Sequence, residues 1–178
     1  MENGGRTVMS YKSADDPNPD PAARTNLFRA LQTPRMECEL LGIQHQGGPL
    51  NWQSGDYVVQ RDAIGDPWLR GTGFIAGATV RGIVSREVDT IPGTATPASS
   101  CGHELTVFFH RENGGDGAGN ADGVRYVTAA GVSVFAAGSL NFSWGLDDMP
   151  GNPAMEHGLV DNRLQRFMHN AFASMGAY

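Results

Sequence analysis

The sequence predicts one α/β domain over residues 1–178, a three-layer-like mixed sheet with helices flanking it. Three observations support this. Val132, Val134, Phe135, Ala136 and Ala137 form a short apolar run without helical period, which suits a strand covered on both faces in a mostly parallel sheet. Val160, Leu164, Phe167, Met168, Ala171, Phe172 and Met175 recur on one face of a 3.6-residue helix. Between the termini, short β-branched runs alternate with Gly and Pro punctuation, and 24 glycines point to many turns. A chain of 178 residues can bury about two-thirds of its unfolded surface as a single domain.

In chain order, Arg6 to Lys12 reads as a strand bounded by Gly4-Gly5 and a turn. Ser13 to Pro21 holds three prolines and three aspartates and reads as a loop. Leu27, Phe28 and Leu31 give Ala22 to Gln32 the pattern of a short amphipathic helix stopped by Pro34. Cys38 to Ile43, Asp56 to Gln60, Thr79 to Val84, Arg86 to Ile91 and Leu105 to Phe109 read as strands. Ile91 to Ser100 reads as an exposed connection, and Asn113 to Gly123 as a low-complexity loop. Gly138 to Asp148 makes a polar, glycine-broken corner after the apolar run. In open α/β sheets ligands gather beyond the strand ends, which makes this corner a candidate site. The last helix packs its apolar stripe onto the sheet, with Arg163, Arg166 and His169 on its other side.

Composition narrows the function. Thirteen basic against 19 acidic residues give a formal charge of -6, which argues against a nucleic-acid partner. No apolar run approaches the roughly 20 residues that span a bilayer, so no membrane association is expected. The polar start, MENGGRTVMSYK, lacks the pattern of a signal peptide. Cys38 and Cys101 stand far apart in no CxxC pattern, suggesting neither a disulfide framework nor a zinc site. A cytoplasmic setting is the default expectation.

Among single residues, Lys12 ends the first strand and opens a loop, where α/β folds place reactive groups; on sequence alone it reads first as a solvated lysine, because Lys is mostly exposed. Strand parity puts Glu87 opposite Val84 and Val88, as a half-exposed carboxylate. A carboxylate facing a lysine would lower its own pKa and raise the lysine's. His103 and His110 differ in parity and should point to opposite faces, while His110 and Glu112 share one, leaving at best a two-ligand remnant. His45 could line a pocket but has no partner at ligand spacing. GGDGAGNAD carries Gly119 where a calcium β-roll repeat needs an acid, and Ser143 lacks the glycine two residues before it that a nucleophile elbow needs. A serine or cysteine hydrolase is therefore disfavoured.

Several unusual phrases fall in one order: GGRTVMSYKS at Gly4 to Ser13, MECELLGIQHQGG at Met36 to Gly48, GIVSREVDTI at Gly82 to Ile91, and VFAAGSLNFSWGLDD followed by LVDNRLQRFMHNAF. Together they resemble the C-terminal segment of the large (beta) subunit of the N,N-dimethylformamidase family. That resemblance implies a glutamine-amidotransferase-like α/β domain in an amide hydrolase that cleaves the C–N bond of small formamides. It implies a mononuclear iron held by tyrosines and a glutamate, and assembly with further copies and a small subunit. It places Lys12, in MSYKS, and Glu87, in SREVD, at the active-site pocket. The family's iron-side motifs, HPEY-like and GNGFYW-like, are not found in these residues, so the expectation is an incomplete half-domain: inactive alone, with no cofactor of its own and the iron ligands upstream. A missing half or other subunit would then be its partner, since an unpaired sheet edge invites association. The competing expectation is a non-catalytic interaction or scaffolding domain that pairs with another chain.

Overall fold

A computed structural model describes residues 10–11, 15–45, 54–85, 87–93, 99–113, 120–148 and 158–177. Its centre is a five-stranded sheet in the order β3-β2-β7-β8-β9, with β2 at Gly55–Val59, β3 at Thr79–Val84, β7 at Thr106–Arg111, β8 at Ala121–Val127 and β9 at Ser133–Ala136. Two two-stranded ribbons flank it: β1 (Gln44–His45) with β4 (Asp89–Thr90), and β5 (Ser99–Ser100) with β6 (His103–Glu104). Among the described residues the α-helices are α1 (Cys38–Leu41) and α2 (Asn162–Ser174), with short 3-10 turns before and between them. The expected mixture of strands and helices is present at this coarse level.

Every described strand pair is antiparallel, which corrects the mostly parallel expectation. β9, read as buried on both faces, lies at the sheet edge with Ser133, Val134 and Phe135 half-buried. Its apolar run serves one neighbour strand and one aromatic cluster instead of two helical layers.

One face of the sheet carries the main core. Trp68 stacks on Phe108 at 5.5 Å between ring centroids, and Phe167 of α2 meets Phe108, Phe109 and Phe135 edge-on at 4.9, 5.0 and 5.6 Å. Edge-on aromatic pairs of this kind add about 0.5–1.5 kcal/mol each beyond the area they bury. Leu164, Phe167 and Ala171 are buried as the stripe requires, while Phe172 and Met175 at the helix end remain exposed. On the other face Ile43, Val124 and Ala136 form a smaller core with Leu41, Ile91, Leu105 and Val107. A bulge in β7 between Val107 and Phe109 breaks strict alternation, so Phe108 and Phe109 are both buried.

Several local expectations change. The strand read at Arg6 to Lys12 lies almost wholly outside the described residues; Ser10 and Tyr11 carry no strand. The amphipathic helix read at Ala22 to Gln32 is two 3-10 turns, Pro21–Ala23 and Phe28–Ala30, with Leu27 and Phe28 about half exposed. Cys38 to Ile43 forms α1 rather than a strand; Gly42 caps it at φ 77°, a conformation that favours glycine. Among the described residues of Arg86 to Ile91, Asp89–Thr90 is strand and Val88 bridges to Ser139. Ser99–Ser100, read as connection, belongs to β5. Ala121 to Gly123, read as loop, opens β8.

The cysteine reading is also corrected. Cys38 and Cys101 are joined by a disulfide across a separation of 63 residues, with their Cα atoms 5.6 Å apart. The fold folds α1 back over the β5-β6 ribbon, a proximity that linear spacing cannot reveal. Disulfides persist chiefly in oxidising settings, so the cysteines no longer support the cytoplasmic expectation. No helix among the described residues is long and apolar enough to cross a membrane.

Candidate functional site

The polar corner after β9 is assembled from three separate segments. Ser139 caps the 3-10 helix Leu140–Gly145 through its side chain, which accepts the Asn141 N–H, and it also accepts the Ser85 N–H at 3.1 Å. Asp89 N–H donates to the Gly138 carbonyl at 2.9 Å, and Leu140 N–H to the Glu87 carbonyl at 3.1 Å. Ser85, Glu87 and Asp89 are thus laced to Gly138–Leu140, and β1 pairs with β4 through Gln44↔Thr90 and His45↔Asp89. The phrases GIQH, SREVDT and AAGSLN, distant in the chain, meet at this corner.

Gly138 is required by the geometry. Its φ is 69°, and an added Cβ would stand 2.2 Å from the Asp122 carbonyl oxygen and 2.9 Å from the Tyr57 hydroxyl, contacts no side chain can tolerate. Tyr57, fully buried, donates its hydroxyl to the Ala137 carbonyl at 2.8 Å. Burial, with help from Asp122 and Asp89, pushes that hydroxyl well above its ordinary pKa, so it stays a neutral donor.

Beneath the corner lies a carboxylate network. Asp122, 3% exposed, accepts from the Thr90 hydroxyl and from Ile91 N–H on one oxygen, and faces His110 Nδ1 at 2.7 Å on the other. The hydrogen bond to Asp122 raises the His110 pKa, burial opposes it, and the charges of Asp122 and Glu112 add to the rise. A second pair stands alongside: His45 Nδ1 is 3.4 Å from Asp89 Oδ1. Burial raises the Asp89 pKa, and His45 pulls it partly back.

Glu87 is exposed while Val84 and Val88 are buried, as strand parity requires. Its backbone is fixed on the corner and its carboxylate faces outward. Lys12 lies outside the described residues, so the structure neither joins it to Glu87 nor separates them. The histidine parity argument is corrected. The His103 ring stacks on Tyr126 at 3.8 Å and His110 pairs with Asp122, two positions on the same face of β8; the β7 bulge and the separate ribbon undo the flat-strand assumption. Among the described residues no group of three or more His, Cys, Asp or Glu could hold a metal. Tyr57 and Tyr126 each donate their hydroxyl to a backbone carbonyl, so neither fits as a ligand of the iron that the resemblance implies.

Asp122 and Thr90 escaped the sequence reading. A signal existed: β7 and β8 are antiparallel neighbours, and counting back from the middle of the 112–120 connection pairs His110 with Asp122.

A family model described as N,N-dimethylformamidase beta subunit-like, C-terminal, matches residues 1–157. Neither a curated protein nor a solved structure matches the chain.

Proposed function

Because the chain belongs to the N,N-dimethylformamidase beta subunit-like C-terminal family, we propose that it is the C-terminal part of an amide hydrolase that cleaves the C–N bond of small linear formamides. The observation that supports this most is the meeting of SREVDT and AAGSLN at one corner, where Glu87 is held by the Leu140 N–H and the Val88–Ser139 bridge. A small neutral amide needs few anchors, and an exposed carboxylate on a fixed backbone can orient its N–H or a water. Lys12 would stabilise the oxyanion that develops at the carbonyl.

In this reading the chain is silent alone and works with further chains, as the word subunit in the family description suggests. Iron has no fitting ligand set among the described residues, so its ligands would come from elsewhere in the assembly, and no step is assigned to it. A second reading, a non-catalytic interaction domain, is favoured by the sheet edge: β9 takes no further strand among the described residues, and Val132 beside it is 58% exposed.

Formate release from formamide and N,N-dimethylformamide separates the two. The assembly isolated with this chain should turn both over, whereas the purified chain should not, with or without ferrous iron. A stable assembly without turnover would favour the interaction domain and contradict the hydrolase reading.

A further inference from the structure

We propose that His110 is the proton-transfer group of this corner, with Asp122 and Thr90 as its positioning residues. The inference rests on the hydrolase reading above and names a catalytic group for it.

The arrangement is stronger than charge neutralisation requires. A carboxylate buried to 3% exposure is costly unless its oxygens are engaged, and Asp122 is engaged on both. The Thr90 hydroxyl and Ile91 N–H fix one oxygen. The other faces His110 Nδ1 at 2.7 Å. Holding Nδ1 as a donor leaves Nε2 as the acceptor nitrogen of the neutral ring. The His110 side chain is 39% exposed and no partner to Nε2 is found among the described residues. A buried carboxylate that orients a partly exposed imidazole is the arrangement that general-base catalysis uses.

Its position suits the corner. Thr90, which shares Asp122 with His110, lies three residues beyond Glu87, about 10 Å of extended chain. The Asp122 backbone carbonyl packs directly against Gly138. The charged groups that act on His110 are Asp122 on β8 and Glu112 just after the end of its own strand.

The step balances without a co-reactant. Nε2 takes a proton from water as the water oxygen bonds to the formyl carbon and the carbonyl electron pair moves to its oxygen. The imidazolium then gives that proton to the amide nitrogen as the C–N bond breaks and the carbonyl re-forms. Formic acid and a free amine leave, and His110 is neutral again.

The test uses the assembly and the purified chain. In the assembly, His110→Ala should lower kcat for formate release by about 10²–10⁴-fold with KM little changed, and added imidazole should restore part of the rate. Thr90→Val should shift the acid limb of the pH–kcat profile; this variant keeps the buried carboxylate, so it stands in where Asp122→Asn fails to fold. A His110→Ala rate within threefold of wild type would overturn the inference. If wild type shows no turnover, the hydrolase reading fails, and a second readout decides the role of His110. Carbethoxylation of His110 in the purified chain, located by peptide mass spectrometry, should be slowed by formamide and formate while His103 is unaffected; equal labelling with and without them would overturn the inference.

Discussion

His110 and Asp122 are paired across β7 and β8, with Nδ1 of the imidazole 2.7 Å from Oδ1 of the carboxylate. The pairing raises the histidine above its ordinary 6.5. A raised pKa means the folded state holds the proton more tightly, so the stabilisation is complete below about pH 6.5 and fades as pH climbs through the raised value. The denaturation midpoint of wild type should therefore fall more than that of His110→Gln between pH 6 and pH 9. Parallel slopes for the two proteins would contradict the pairing.

Gly138→Ala tests the close approach at the corner. The left-handed φ alone costs about 1–2 kcal/mol for a residue with a Cβ, and the contact with the Asp122 carbonyl adds to it. Urea unfolding should show a loss of at least this size, with faster hydrogen exchange at the Asp89 amide, which donates to Gly138. An unchanged midpoint would mean the corner is looser than described.

Asp161 caps α2 by accepting from Arg163 N–H and the Arg163 guanidinium. Burial raises its pKa, but these hydrogen bonds outweigh that and hold the carboxyl below its ordinary 3.8. Its contribution is present above that value and is lost as pH falls through the lowered one. Asp161→Ala should cost about 1 kcal/mol at pH 7, read as a drop in Tm, with the gap to wild type closing in acid. A gap that persists undiminished at low pH would point to packing instead of the cap.

The Cys38–Cys101 bond closes a long loop, and such links commonly contribute about 2–4 kcal/mol. Adding reductant should lower the denaturant midpoint of wild type and leave Cys101→Ser unmoved. No response of wild type to reductant would show that the bond adds nothing.

The sequence revealed what periodicity governs. The stripe Leu164, Phe167, Ala171 predicted α2, and β2, β3 and β7 follow from their β-branched runs. It misled where short runs are ambiguous. CELL is apolar enough for a strand, and only Gly42 after it signals a helix end. β8 was hidden because Asp122 and Gly123 look like turn residues; of the partners that make Asp122 tolerable, His110 lies on the neighbouring strand β7, but Thr90 and Ile91 come from 32 and 31 residues away in sequence. The exposed side of Glu87 was legible from its neighbours Val84 and Val88, whereas the carboxylate network beneath it depends on strand register and was not.

The central claim is that Glu87 acts on a bound amide at this corner. Steady-state formate release from formamide by the assembly carrying Glu87→Gln tests it most directly, with circular dichroism as the check that the domain is folded. The account predicts a kcat at least about 10²-fold lower in a folded protein. A folded variant with wild-type kcat and KM would contradict it.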